Sequence, residues 1–152
     1  MGAAYPELFA AVGVHSGLAA GAARDLPGAL AAMKGAGAGQ QGLIASTRPT
    51  IVFHGDADGT VHQGNGDQVV AASCQGAMTV EQQQRVGGGG RRCTRRIHRD
   101  ASGRVQVEHW VIHGAGHAWS GGSPAGSYAD AKGPDASAEI LRFFLEQGSK
   151  AA

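Results

Sequence analysis

Between Pro49 and Gly55 the chain reads Thr50-Ile-Val-Phe-His54, a compact run of β-branched and aromatic residues with no polar alternation. A strand with one wet face alternates apolar and polar residues. An unbroken apolar run bounded by turn residues belongs instead to a strand covered on both faces. Such strands lie inside mostly parallel sheets with helices packed on either side, so this segment argues for an α/β fold. The remaining segments supply matching pieces. Ala11-Val-Gly-Val-His15 reads as a short strand. Two further strands, Arg92–Arg99 and Arg104–His113, flank Asp100-Ala-Ser-Gly103, a hairpin turn with glycine at its left-handed position. Gly87-Gly-Gly-Gly90 reads as a loop tip.

Helices are expected between these strands. The Gly- and Ala-rich stretch 19–39 reads as a loop, a short helix around 26–34 and a flexible turn. Asn65 is placed to cap a helix running to about Cys74, with Val69, Val70 and Ser73 turned toward a sheet. A last helix is expected with Pro134 in its first turn, Asp135 and Glu139 making its start acidic, and Ile140, Leu141, Phe144 and Leu145 buried. No segment repeats, and nothing resembles an interdomain linker.

Size and charge narrow the function classes. A chain of 152 residues with 42% hydrophobic content suits one globular domain. The net charge of +1 gives no reason to expect nucleic acid or an anionic membrane as partner, since the basic run Arg91–Arg96 is local. No apolar stretch approaches the roughly 20 residues of a membrane helix. The N-terminus lacks the basic start and apolar run of a signal peptide. Cys74 and Cys93 leave two states open, one bridge or two free thiols.

Two segments carry chemistry. His54-Gly-Asp-Ala-Asp-Gly-Thr-Val61 follows the buried strand, and in an open α/β sheet the reactive crevice lies beyond the carboxyl ends of the strands. Its acids also suit a plain polar turn. Gly114-Ala-Gly-His-Ala-Trp-Ser-Gly-Gly122 follows the strand ending at 113, and places His117 just past a second strand end. A lone loop histidine is usually only solvated. An acid and then a base past two strand ends is the later part of the order Ser…Asp…His used by α/β-hydrolases. His54, Asp56, Asp58, His62, His113 and His117 also invite a metal-site reading. The four-residue spacing of His113 and His117 holds zinc on a helix face, however, and here a strand and glycines occupy that stretch. Trp110 and Trp119 suit packing, and Trp119, beside His117, could also line a substrate groove.

Taken together, the segments from Pro49 to Val61, from Glu108 to Ser123, and Gly126-Ser-Tyr with Gly133-Pro-Asp-Ala-Ser strongly resemble the polyhydroxybutyrate-depolymerase-like esterases. These are extracellular α/β-hydrolases that include polyester depolymerases and feruloyl and acetylxylan esterases. The resemblance runs from Met1 to about Leu145 and matches the C-terminal half of such an enzyme. It implies that Asp58 is the triad acid, with Asp56 the weaker candidate, and His117 the triad base. It also implies ester or polyester substrates, an extracellular location, and no metal or organic cofactor.

The same resemblance implies a Gly-x-Ser-x-Gly elbow upstream of the segment matching Met1–Val12, and none occurs in this sequence. Gly13-Val-His-Ser-Gly17 has its glycines at the wrong offsets, and Ser120, Ser123 and Ser127 follow the base. The expectation is therefore a partial α/β-hydrolase domain over 1–152, without nucleophile or oxyanion donors and inactive alone. Its alternatives are a silent truncated fragment, or a non-enzymatic half-domain. The sheet edge left open at residues 11–15 would favour self-association, or pairing with an N-terminal half.

Overall fold

The computed structural model describes residues 2–36 and 43–148. After a 3-10 turn at Pro6–Leu8 come β1 (Val12–His15), α1 (Leu26–Met33), β2 (Thr50–Gly55), α2 (Gly64–Ser73), β3 (Thr79–Val86), β4 (Arg92–Arg99) and β5 (Val105–Ile112). Two short strands, β6 (Trp119–Ser120) and β7 (Ala129–Asp130), pair with each other before the last helix, α3 (Ala136–Gly148). The main sheet runs β1-β2-β5-β4-β3. β1, β2 and β5 are parallel, while β4 and β3 continue antiparallel. The fold is α/β with a mixed sheet.

All six residues of β2 are buried, as its apolar run requires. Alternation along a strand sends successive side chains to opposite faces. Ile51 and Phe53 accordingly pack with Trp110, Ile112, Ala136 and Phe143 on the α3 side. Val52 joins Val69, Val70 and Val107 on the α2 side. β2 is thus the wall shared by two small cores. The Asp100–Gly103 turn joins β4 to β5, with Gly103 at φ 80°. The glycine run 87–90 turns β3 into β4 through a Gly90 to Gly87 hydrogen bond.

Several expectations need correction. Asn65 lies inside α2 and does not cap it. A cap must accept a backbone N–H, but the Asn65 amide donates to the Ala32 carbonyl (2.9 Å) and the His62 carbonyl (3.0 Å), tying α1 to α2. Pro134 precedes α3, and the first-turn hydrogen bond goes from Ala138 N–H to Asp135 Oδ1 (3.0 Å). The inward face of α3 is Ala136, Phe143 and the partly buried Ile140; Leu141, Phe144 and Leu145 are exposed, at 58%, 37% and 66%. Ala136, Ile140 and Phe143 share one face by their i, i+4, i+7 spacing, and beside them Arg142 reaches the buried carboxylate of Glu108 on β5 (2.7 Å).

Glu108 is held from the other side by Arg95 of β4 (2.7 Å), whose guanidinium also lies 5.3 Å from the Trp110 ring centroid. Burial alone would raise the Glu108 pKa, and the two arginines outweigh it and bring it below the usual range. Strand β3 was not expected. Its sequence, Thr-Val-Glu-Gln-Gln-Gln-Arg-Val, is exposed on nearly every residue, so no apolar pattern marks it. Cys74 and Cys93 are free thiols. The flexible turn expected before residue 39 falls partly outside the described residues. Among the described residues, no helix is long and apolar enough to cross a membrane.

Candidate active site

Because β2 and β5 are parallel neighbours, with Gly55 opposite Ile112, the loops that follow them leave the same edge of the sheet. They are laced together by backbone. Asp56 N–H donates to the Ile112 carbonyl (3.2 Å) and Ala57 N–H to the Ala115 carbonyl (3.1 Å). This approach needs glycine at position 55, where a Cβ would run into the Ala115 carbonyl.

The lacing sets Asp58 against His117. Asp58 Oδ2 lies 2.8 Å from His117 Nδ1, and Oδ1 accepts the N–H groups of Thr60 (2.9 Å) and Val61 (2.8 Å). The Asp58 side chain is fully buried, while that of His117 is 36% exposed. Burial by itself would raise the Asp58 pKa. Hydrogen bonds from Val61, His117 and Thr60 overcome that and hold the carboxyl below its ordinary value. An ionised carboxylate can only accept, so in this pair the neutral imidazole carries its proton on Nδ1. Its Nε2 is then a free lone pair, with no hydrogen-bond partner among the described residues. That is the arrangement of a general base held by an acid.

His54, at the end of β2, supports the loop from below. Its Nε2 donates to the Val61 carbonyl (2.8 Å) and lies 3.7 Å from Asp58 Oδ2.

Asp56 serves a different histidine. Its Oδ2 lies 2.8 Å from His113 Nδ1, and its Oδ1 accepts Gly114 N–H (2.6 Å). His113 Nε2 is in turn 2.8 Å from the Thr94 hydroxyl. Thr94 is buried within β4, so this chain clips the two loops to the sheet. The two acids divide the histidines between them, and no group of three or more potential metal ligands converges among the described residues.

His117 opens onto a cleft of about 520 Å³, lined also by His15, Ser16, Thr60, Trp119 and Tyr128. Trp119 is 41% exposed, stacks on His15 with ring centroids 4.7 Å apart, and donates from Nε1 to the Ser137 hydroxyl (3.1 Å). A second hollow of about 300 Å³, between β1 and α2, has no titratable side chain in its walls. No serine among the described residues hydrogen-bonds to His117; the Ser120 hydroxyl is committed to the Pro134 carbonyl (2.7 Å). Sequence reasoning weighed Ser16 only as a nucleophile, setting it aside for its glycine offsets, and passed over His15. The only local sign was their position past the end of β1, the same rule that picked out Asp58 and His117.

The site is a carboxylate–imidazole pair past the ends of adjacent parallel strands, facing a cleft with aromatic walls. No family model matches the chain, and no curated protein does.

Proposed function

We propose that Asp58 and His117 are the acid and base of a serine esterase, with carboxylic esters of the polyester, feruloyl or acetyl kind as substrates and an extracellular place of work. The observation that carries the reading is the 2.8 Å bond from a buried carboxylate to an imidazole that lines a cleft. The resemblance to polyhydroxybutyrate-depolymerase-like esterases, as a C-terminal half of that fold, agrees with it. The nucleophilic serine comes from a segment other than these residues, seated beside β1. His117 Nε2 takes the serine proton as the hydroxyl oxygen bonds to the ester carbonyl carbon. It returns that proton to the departing alkoxide as the ester C–O bond breaks. Water then repeats the cycle on the acyl-enzyme, and Asp58 keeps Nδ1 protonated and stabilises the imidazolium throughout.

The test has two parts. The chain alone should hydrolyse p-nitrophenyl butyrate no faster than buffer with inert protein. Joined to a Gly-x-Ser-x-Gly-bearing N-terminal half it should turn over, and Asp58→Asn should then cost about 10⁴ in turnover, as the equivalent change does in a protease triad. If Asp56→Asn were the damaging substitution and Asp58→Asn harmless, the acid would be misassigned. Hydrolysis by the chain alone that vanishes in His117→Ala would reveal a nucleophile within it.

One observation favours a second reading, a non-enzymatic module that binds a partner. β1 pairs only with β2 and so leaves one edge of the sheet open among the described residues.

A further inference from the structure

The end of β1 brings two unassigned polar groups to the wall of the cleft that His117 shares. His15 Nε2 accepts the backbone N–H of Ser120 (3.0 Å). A nitrogen that accepts has no proton, so the neutral ring must carry its hydrogen on Nδ1, and a protonated ring would set two N–H groups against each other. The ring sits between Phe53 (centroids 5.8 Å apart) and Trp119 (4.7 Å). Burial first, then the neighbouring His54 and His117, lowers its pKa to about 4, with Asp58 acting weakly the other way. His15 is therefore a neutral side chain of fixed tautomer. Its Nδ1–H has no hydrogen-bond partner among the described residues, and it is the donor the ring can offer to the cleft.

Ser16 follows directly. It is the only non-glycine among the described residues with a positive φ, at 50°. Such a conformation is uncommon away from glycine, asparagine and aspartate, and strain of this kind gathers at functional sites. The residue is 8% exposed, and its hydroxyl is buried without a partner. A buried unsatisfied hydroxyl is costly, which makes it a group poised for a bond not yet made. Ser16 N–H is already bonded to the Phe53 carbonyl (2.9 Å), so the hydroxyl is the group it has left to offer.

We infer that His15 Nδ1–H and the Ser16 hydroxyl form a hydrogen-bonding subsite for an uncharged oxygen of the ligand, the carbonyl or alkoxy oxygen of an ester, in the cleft that His117 also lines. Among the described residues no arginine or lysine lines this cleft, and the Asp58 charge stands behind His117, so the subsite takes a neutral ester in preference to a carboxylate. The choice of an ester rests on the function proposed above; the two donors rest on geometry alone.

The chain as it stands is the right material, because binding is then read without turnover. Nitrogen-15 histidine spectra should show His15 as the Nδ1–H tautomer, neutral down to about pH 4. Titration with ethyl butyrate should shift the His15 ring and the Ser16 amide, with sodium butyrate binding more weakly. His15→Phe keeps the stack but removes the acceptor of Ser120 N–H along with the donor, while Ser16→Ala removes only the hydroxyl and is the cleaner variant. Each should weaken ethyl butyrate binding about two- to tenfold, the loss of one net hydrogen bond. An Nε2–H tautomer, unchanged affinity in either variant, butyrate bound as tightly as the ester, or no ester binding at all would overturn the inference. If instead the triad assignment alone were wrong, these binding results would stand and only the Asp58 and His117 turnover variants would fail.

Discussion

At the scale of single residues, hydrogen bonds and burial set the charge states of three acids and two buried histidines, His15 and His109. Asp56, Asp58 and Glu108 all titrate below their ordinary values, because hydrogen bonds and arginines outweigh burial. A carboxyl with a lowered folded-state pKa contributes stability above its unfolded value and loses it as pH falls through the folded one. Their loss therefore belongs below about pH 4. The histidines act earlier. Burial, then the charges of Arg96, His98 and His54, lowers His109 from 6.5 to about 4, and its buried Nε2 has no partner. In that window the unfolded chain binds the proton and the folded chain does not. The stability is complete above 6.5 and drains away as pH falls toward 4. The shift corresponds to a loss on the order of 3 kcal/mol. Urea midpoints should fall steadily over this range, and His109→Leu should make the fall shallower, leaving the share that His15 contributes over the same window. A midpoint independent of pH between 6.5 and 4 would show the ring titrating normally.

At the scale of elements, the loops owe their positions to strand order and to a few close contacts. Gly55→Ala sets a methyl group against the Ala115 carbonyl, so one of the two laced loops must move. The expected cost is about 1–3 kcal/mol, accompanied by loss of the Asp58–His117 hydrogen bond in histidine nitrogen-15 spectra. An intact bond in the variant would mean that the lacing does not set the pair. The orientation of α3 is testable in the same way. Phe143 is fully buried and Leu145 is 66% exposed. Phe143→Ala should cost about 3–5 kcal/mol, whereas Leu145→Ala should stay within about 0.5 kcal/mol. Comparable losses from both would mean that the helix is rotated toward the face its sequence suggested.

At the scale of the whole molecule, the two sheet edges differ in a way that bears on association. β3 carries Glu81, Arg85 and three glutamines along an exposed edge, the kind of polar dressing that discourages strand pairing. β1 is Val-Gly-Val-His, with no charged residue to deter a neighbour. Val12 N–H donates to the Pro49 carbonyl and Ser16 N–H to the Phe53 carbonyl. Alternation then points the N–H groups of Gly13 and His15 at the open side. The chain should self-associate through this edge, with light scattering giving a mass above the monomer's 15.4 kDa that falls on dilution. Hydrogen exchange at Gly13 and His15 should slow with concentration. A monomer at all concentrations with both amides protected would mean that the chain covers this edge itself.

Much of this was legible before any coordinates. The run at 50–54 could only be a strand covered on both faces, because its apolar residues leave no side for water. Asp58 and His117 were legible as residues past strand ends, because chain order alone places them there. What stayed hidden depends on groups distant in sequence. β3 carries no apolar pattern, since pairing with β4 rather than burial makes it a strand. The Arg142 side of α3 meets Glu108 on another element, and the Asn65 amide is bonded to the Ala32 carbonyl, a partner 33 residues away. Asp56 and Asp58 are equivalent by local chemistry, and only the folded loops assign one to His113 and the other to His117. The roles of His15 and Ser16 needed tertiary structure most of all. A tautomer is set by the hydrogen bond the other nitrogen makes, and for His15 that bond comes from Ser120, 105 residues further along the chain.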